Sequence, residues 1–147
     1  MHPTASEPVT VLTYGTFDHF HWGHLQLLER ARALGTRLVV GVVSDELCVM
    51  KRRPFSTPCE RRLAIIQALR CVDHAFVQLE LDQKEQDIDR FSARYLVVGD
   101  DWRGHPRFEQ VRGYHGVELV YLERTPGISS SQIRALLGGA ESDHHAS

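Results

Sequence analysis

A chain of 147 residues with 17 Lys+Arg against 19 Asp+Glu, a net charge of −2 and 42% hydrophobic residues suits one globular domain with a real core. The near-balance of charge argues against a polyanion coat or a polybasic membrane binder, no apolar run reaches the ~20 residues of a bilayer span, and Met1 to Pro8 lacks the regions of a signal peptide. The expectation is a cytoplasmic protein that binds no nucleic acid and inserts in no membrane, with Cys48, Cys59 and Cys71 as reduced thiols and nine histidines as the one compositional oddity.

In chain order, Val9 to Tyr14 is β-branched and aromatic and breaks at Gly15, which predicts a buried strand. Leu27, Leu28, Ala31 and Leu34 then recur at helical spacing before Gly35, predicting an amphipathic helix that begins near Trp22 to His24. The continuous apolar run Leu38 to Val43 reads as a strand buried on both faces, as in a parallel sheet. Ser44 to Pro58, with Lys51-Arg52-Arg53 and two prolines, reads as a long loop of the kind that usually has a task. Further on come a helix over Glu60 to Arg70, a strand His74 to Val77, a helix Gln83 to Phe91 and a strand Tyr95 to Val98. A weaker helix Phe108 to Tyr114, a fifth strand Val117 to Leu122 and a last helix Ser130 to Leu137 complete the pattern. Strands alternating with helices predict a single Rossmann-like, doubly wound α/β domain over residues 9–138, its five-stranded parallel sheet ordered 3-2-1-4-5. Residues 1–8 and 139–147 are expected to be disordered tails.

Three of the histidines, His19, His21 and His24, fall between the first strand and the first helix. In open α/β sheets ligands bind at the carboxyl ends of strands, and a helix N-terminus offers N–H groups to anions. Spacing alone leaves three readings for His21 and His24: helix caps, donors to one ligand, or two ligands of a zinc site that lacks its remaining members. Neither a dinucleotide G-x-G-x-x-G nor a P-loop is present. Asp100 and Asp101 follow the fourth strand at the expected switch point, where they are placed for a nucleotide or Mg²⁺, although adjacent carboxylates also suit an ordinary turn. Trp102 is placed either to stack near a base or to pack beneath the loop, with the base side favoured.

The run Gly15-Thr-Phe-Asp-His-Phe-His-Trp-Gly-His24 resembles the G-T-F-D-x-x-H-x-G-H signature of the nucleotidyltransferase superfamily, and Arg124-Thr-Pro-Gly-Ile-Ser-Ser-Ser131 resembles its R-T-x-G-I-S-[ST]-[ST] signature. Thr13 to Asp18, Leu27 to Ala31 and Val98 to Trp102 are most similar to the small glycerol-3-phosphate cytidylyltransferases. The resemblance implies attack of an acceptor phosphate on the α-phosphorus of CTP, with Mg²⁺ as cofactor and a homodimer as the assembly. Such chemistry rests on positioning and charge neutralisation and needs no nucleophilic residue.

By the same resemblance His21, His24, Lys51 and Arg124 are the catalytic set. The nucleotide falls to Tyr14, Gly15, Thr16, Phe17, Asp18, Gly23, Gly99, Asp100, Asp101, Trp102, Arg124, Thr125, Gly127, Ile128, Ser129 and Ser130, with Arg124, Ser129 and Ser130 on the β- and γ-phosphates. Asp18 either helps hold the metal-nucleotide or orders its loop, and Asp100 is the candidate metal ligand. Aligning Glu60-x-Arg62 on the family's E-x-R puts Lys51 and Arg53 on basic positions that bind phosphate in the glycerol enzymes, Arg70 before Val72-Asp73 matches an acceptor or nucleotide site, and Asp45, Arg62 and Asp73 complete the expected acceptor set.

The chain departs from the pattern at Pro54, Pro58 and Cys59 in the basic loop, and Leu81 stands where the glycerol enzymes carry a tryptophan. Both segments lie on the acceptor side. Alternatives are therefore another small phosphate or a phosphonate as acceptor, ATP in place of CTP, or a silent nucleotide-binding protein on the same fold.

Overall fold

The computed structural model describes residues 7–123. Its five strands are β1 (Thr10–Gly15), β2 (Arg37–Val43), β3 (His74–Gln78), β4 (Ala93–Gly99) and β5 (Glu118–Leu122). They form one all-parallel sheet in the order β3-β2-β1-β4-β5, as the sequence predicts. The connecting helices are α1 (Trp22–Arg32), α2 (Asp45–Met50), α3 (Cys59–Gln67), α4 (Lys84–Phe91) and α5 (Pro106–Glu109).

Alternate strand residues feed two cores, which is why the central strands lack a polar face. Val11, Leu38, Val40, Val42 and Val97 pack with Leu28 and Ala31 of α1 and Ile66 of α3 on one face. Leu12, Val39, Phe76, Leu96 and Val98 pack with Ile88 and Phe91 of α4 on the other. Residues such as Val11 and Leu12 are wholly buried, each removing about 2 kcal/mol of apolar surface energy from water. At the switch point β1 lies between β2 and β4, and the buried Thr13 hydroxyl donates to the Val97 carbonyl at 2.8 Å across that seam.

Two elements differ from the sequence reading. The stretch Ser44 to Pro58 begins with helix α2, whose N-cap Ser44 accepts from the Leu47 N–H at 3.1 Å while Leu47 and Cys48 bury themselves. The helix expected over Phe108 to Tyr114 is instead the single turn α5, started by Pro106 and followed by positive φ at Gly113 (78°) and His115 (46°). The last helix expected over Ser130 to Leu137 lies outside the described residues. Among the described residues no helix is long and apolar enough to cross a membrane.

Candidate active site

The loop leaving β1 is bent tightly around its own aromatic side chain. Phe17 and His19 take positive φ, 56° and 49°, and the buried Phe17 ring folds back over Gly15. A Cβ on Gly15 would stand 2.7 Å from that ring, so the position admits only glycine without a shift. Asp18, 2% exposed, turns into the protein, where Oδ2 accepts the Ser56 N–H at 2.8 Å and Oδ1 the Thr57 N–H at 2.9 Å. Of its two expected roles, the geometry gives Asp18 the ordering of a loop.

His21 is the N-cap of α1. Its Nδ1 accepts the Gly23 N–H at 3.0 Å, and its own N–H donates to Nδ1 of His24 at 3.2 Å, a capping box built from imidazoles. Each Nδ1 is thus an acceptor, so each neutral ring carries its proton on Nε2. The rings stack with centroids 3.9 Å apart, and Phe17 and Phe20 pack against His24. Burial, then the neighbouring His21, lowers the His24 pKa to about 3 against the opposing pull of Asp18. The arrangement places both rings at a helix N-terminus, the place where anions are held.

A basic loop crosses between the β1 and β4 exits. At one end Ser56 and Thr57 are fixed by Asp18; at the other, Arg53 lies 5.0 Å and Lys51 5.9 Å over the ring of Trp102. Trp102 in turn packs edge-on against Phe108, centroids 5.7 Å apart. The indole is therefore a floor for the cations.

The same wall holds a lysine that the sequence did not single out. Lys84, 4% exposed, sits at the first position of α4, with Nζ 4.9 Å from the Phe108 ring centroid and 5.5 Å from that of Tyr14. Among the described residues it has no ion pair. Burial and then Arg107 lower its pKa to about 8, against Asp87 and Asp82, and burial with Arg53, Arg107 and Lys84 lowers that of Lys51 to about 8. Buried cations crowded together are poised to accept an anion, which would relieve both the desolvation and the mutual repulsion. The cue in the sequence was a lysine in the first turn of a helix, where the dipole disfavours positive charge.

A family model described as cytidylyltransferase-like matches residues 12–136. The chain belongs to the cytidylyltransferase-like family. It is 41% identical over 129 residues to the glycerol-3-phosphate cytidylyltransferase of Bacillus subtilis (strain 168), covering 88% of this chain and 97% of that one. It is 36% identical to the enzyme of the same name from Staphylococcus aureus (strain NCTC 8325 / PS 47), covering 89% and 96%. Among solved structures, the lipopolysaccharide core biosynthesis protein from Thermoplasma volcanium GSS1 superposes with a TM-score of 0.68 at 21% identity, over 83% of this chain and all of that one, a likeness of fold.

Within this family frame, the structure brings together His21, His24, Asp18, Thr16, Gly23, Lys51, Arg53 and Trp102 around the exits of β1 and β4. Tyr14 is there too, its hydroxyl donating to Asp87 Oδ2 at 2.7 Å. Three other expected residues are otherwise engaged, and a fourth is exposed elsewhere. Arg62, 1% exposed, donates to the carbonyls of Thr57 (2.7 Å), Thr16 (2.8 Å) and Val43 (2.8 Å) and to Asp45 Oδ1 (2.7 Å), so Arg62 and Asp45 brace the loops instead of facing an acceptor. Asp45 Oδ1 also accepts the Cys59 N–H at 2.9 Å, supplying the cap that Pro58 cannot give α3. Asp73, expected at the acceptor, lies at the opposite end of the sheet, before β3, where it accepts the Leu38 N–H at 2.8 Å and pairs with Arg32 at 3.1 Å. Arg70 is exposed in the same turn, away from the strand exits.

Gly99, Asp100 and Asp101 lie at the β4 exit, and Asp100 pairs with Arg103. Among the described residues no three His, Cys, Asp or Glu side chains converge as metal ligands, and both Asp18 oxygens accept backbone N–H groups. Asp100 and Asp101 are the carboxylates at this exit that could hold a metal ion. Arg124, Thr125, Gly127, Ile128, Ser129 and Ser130 lie outside the described residues.

Proposed function

We propose that this chain transfers the cytidylyl group of CTP to glycerol 3-phosphate, releasing pyrophosphate and giving CDP-glycerol. The observation that carries the reading is the basic loop, anchored on Asp18 beside the paired histidines and on Trp102 at the β4 exit, so that donors for a triphosphate and cations for a second phosphate share one cleft. The names of relatives 36–41% identical along nearly their whole length supply the nucleotide and the acceptor.

In this mechanism an anionic oxygen of the acceptor phosphate forms a bond to the α-phosphorus while the bridging α–β bond breaks, and the electron pair leaves with pyrophosphate. No proton moves, so the protein needs no general base. The Nε2–H groups of His21 and His24 donate to the triphosphate as charge shifts toward the leaving group, while Lys51 and Arg53 neutralise the attacking acceptor phosphate. Arg124, Ser129 and Ser130 complete the triphosphate contacts by virtue of their motif. Lys84, assisted by Arg107, receives the acceptor phosphate. Asp100 or Asp101 would hold magnesium, which when bound would supply charge neutralisation on the triphosphate. The enzyme works as a cytoplasmic homodimer; three free cysteines support the compartment, and Trp22, 61% exposed at the start of α1, supports an interface there.

A second reading, with a different small phosphate or a phosphonate as acceptor, rests on Leu81. Its side chain packs against Val43, Leu47 and Cys48, while its carbonyl accepts from Lys84 Nζ at 3.1 Å, so an aliphatic side chain takes the place of the tryptophan beside that lysine. Pyrophosphate release with CTP and ATP, each crossed with glycerol 3-phosphate, other small phosphates and phosphonates, decides between them.

A further inference from the structure

The segment between β3 and α4, residues 79–83, is irregular yet fastened at several polar points. Gln83 Oε1 accepts the Leu79 N–H at 2.7 Å and the Glu80 N–H at 2.9 Å, which fixes the amide so that its NH₂ donates to Asp87 Oδ2 at 2.9 Å. Gln78 Nε2 donates to the Glu80 carbonyl at 3.2 Å, and Lys84 Nζ to that of Leu81 at 3.1 Å. Asp87 is one turn further along α4 and 3% exposed, and the oxygen that receives Gln83 also receives the Tyr14 hydroxyl at 2.7 Å.

Tyr14 is the residue before Gly15, at the mouth of the phosphate-binding motif. Its ring is seated over Gly41 of β2, where a Cβ would come within 2.6 Å of it, and Lys84 Nζ lies 5.5 Å from its centroid. One carboxylate oxygen therefore joins the strand that opens the nucleotide loop to the segment that holds the acceptor-side lysine. Burying a carboxylate is costly, and a purely architectural join would be met as well by apolar packing. The charge-assisted bonds offer something packing does not: a fixed direction for Tyr14 and Gln83, and hence for the lysine between them.

We propose that Asp87 is a positioning residue for the acceptor phosphate, holding Lys84 toward Lys51 and Arg53 through its shared bonds to Tyr14 and Gln83. The proposal rests on the functional reading above. It makes a selective statement: loss of the Asp87 bonds weakens acceptor use through Lys84 and spares the nucleotide, whose contacts come from the other side of the basic loop.

The test is steady-state kinetics of the full chain with CTP and glycerol 3-phosphate, for the wild type, Asp87→Ala, Asp87→Asn, Tyr14→Phe, Lys84→Gln and the double variant Asp87→Ala/Lys84→Gln. Asp87→Ala is expected to raise the acceptor KM about tenfold with the CTP KM within about twofold of the wild type, and Tyr14→Phe, which removes one of the two bonds to Asp87, to raise the acceptor KM as well. Asp87→Asn, whose amide oxygen still accepts both bonds, recovers most of that loss, and Asp87→Ala adds less than about twofold once Lys84 is gone. A parallel rise in both KM values, or effects of Asp87→Ala and Lys84→Gln that multiply, overturns the proposal. If Asp87→Ala does not fold, Gln83→Ala, which removes the other partner of Asp87 Oδ2, carries the same comparison. A wild-type enzyme without turnover on this substrate pair overturns the functional reading and the proposal with it; turnover with an unselective variant overturns the proposal alone.

Discussion

The backbone N–H of His21 donates to Nδ1 of His24 at 3.2 Å, and that contact decides which nitrogen of His24 carries the proton. With Nδ1 committed as an acceptor, Nε2 is the donor of the neutral ring. Removing the ring in His24→Ala is expected to lower kcat by about 10²–10³-fold, the usual loss for a donor to developing charge. His24→Gln, whose amide nitrogen reaches farther than that of His24→Asn, retains more activity of the two. A pyrophosphate-release assay ranks the three, and equal activity for all variants removes His24 from the mechanism.

The histidine also predicts a pH response. A pKa of about 3 means that His24 of the free enzyme is neutral throughout pH 5 to 9, so lowering the pH to 5 does not add charge. kcat/KM for CTP, corrected for the titration of CTP itself, therefore shows no acid limb from this residue. A limb near pH 6 that vanishes in His24→Gln contradicts the assignment.

The alkaline side belongs to the lysines. Lys51 and Lys84, each at about 8 in the free protein, lose their charge as pH rises through that value, so kcat/KM for the acceptor falls above pH 8. Bound phosphate raises both pKa values, which moves the corresponding limb of kcat to higher pH. A flat acceptor profile from pH 7 to 10 counts against cationic lysines in the site.

Arg62 separates bracing from binding. Its guanidinium makes four hydrogen bonds to Thr57, Thr16, Val43 and Asp45 with 1% exposure, so Arg62→Met is expected to cost about 3–5 kcal/mol of folding stability. Denaturant unfolding measures this. Unchanged stability with a raised acceptor KM would return Arg62 to the acceptor.

Much of this was legible in the sequence. The runs Val9 to Tyr14 and Leu38 to Val43 are β-branched and buried on both faces, so strand type and sheet order followed from their pattern. The histidine cluster and the switch-point loop followed from the break at Gly15. Helix α2 was hidden because six residues give too little periodicity, and Ser44 could be seen as its cap only once Leu47 and Cys48 were known to be buried. Arg62 and Asp45 were misassigned because a charged residue in a motif does not reveal whether its partner is a ligand or another loop. Lys84 escaped because a lysine opening a helix usually faces water, and its burial against Tyr14 and Phe108 is a tertiary fact.

The central claim is cytidylyl transfer to a small phosphate. Incubating the full chain with Mg²⁺, glycerol 3-phosphate and either CTP or ATP tests it most directly. The account predicts stoichiometric pyrophosphate and CDP-glycerol with CTP and little product with ATP. Release with ATP but not CTP, or none with any phosphate acceptor, contradicts it.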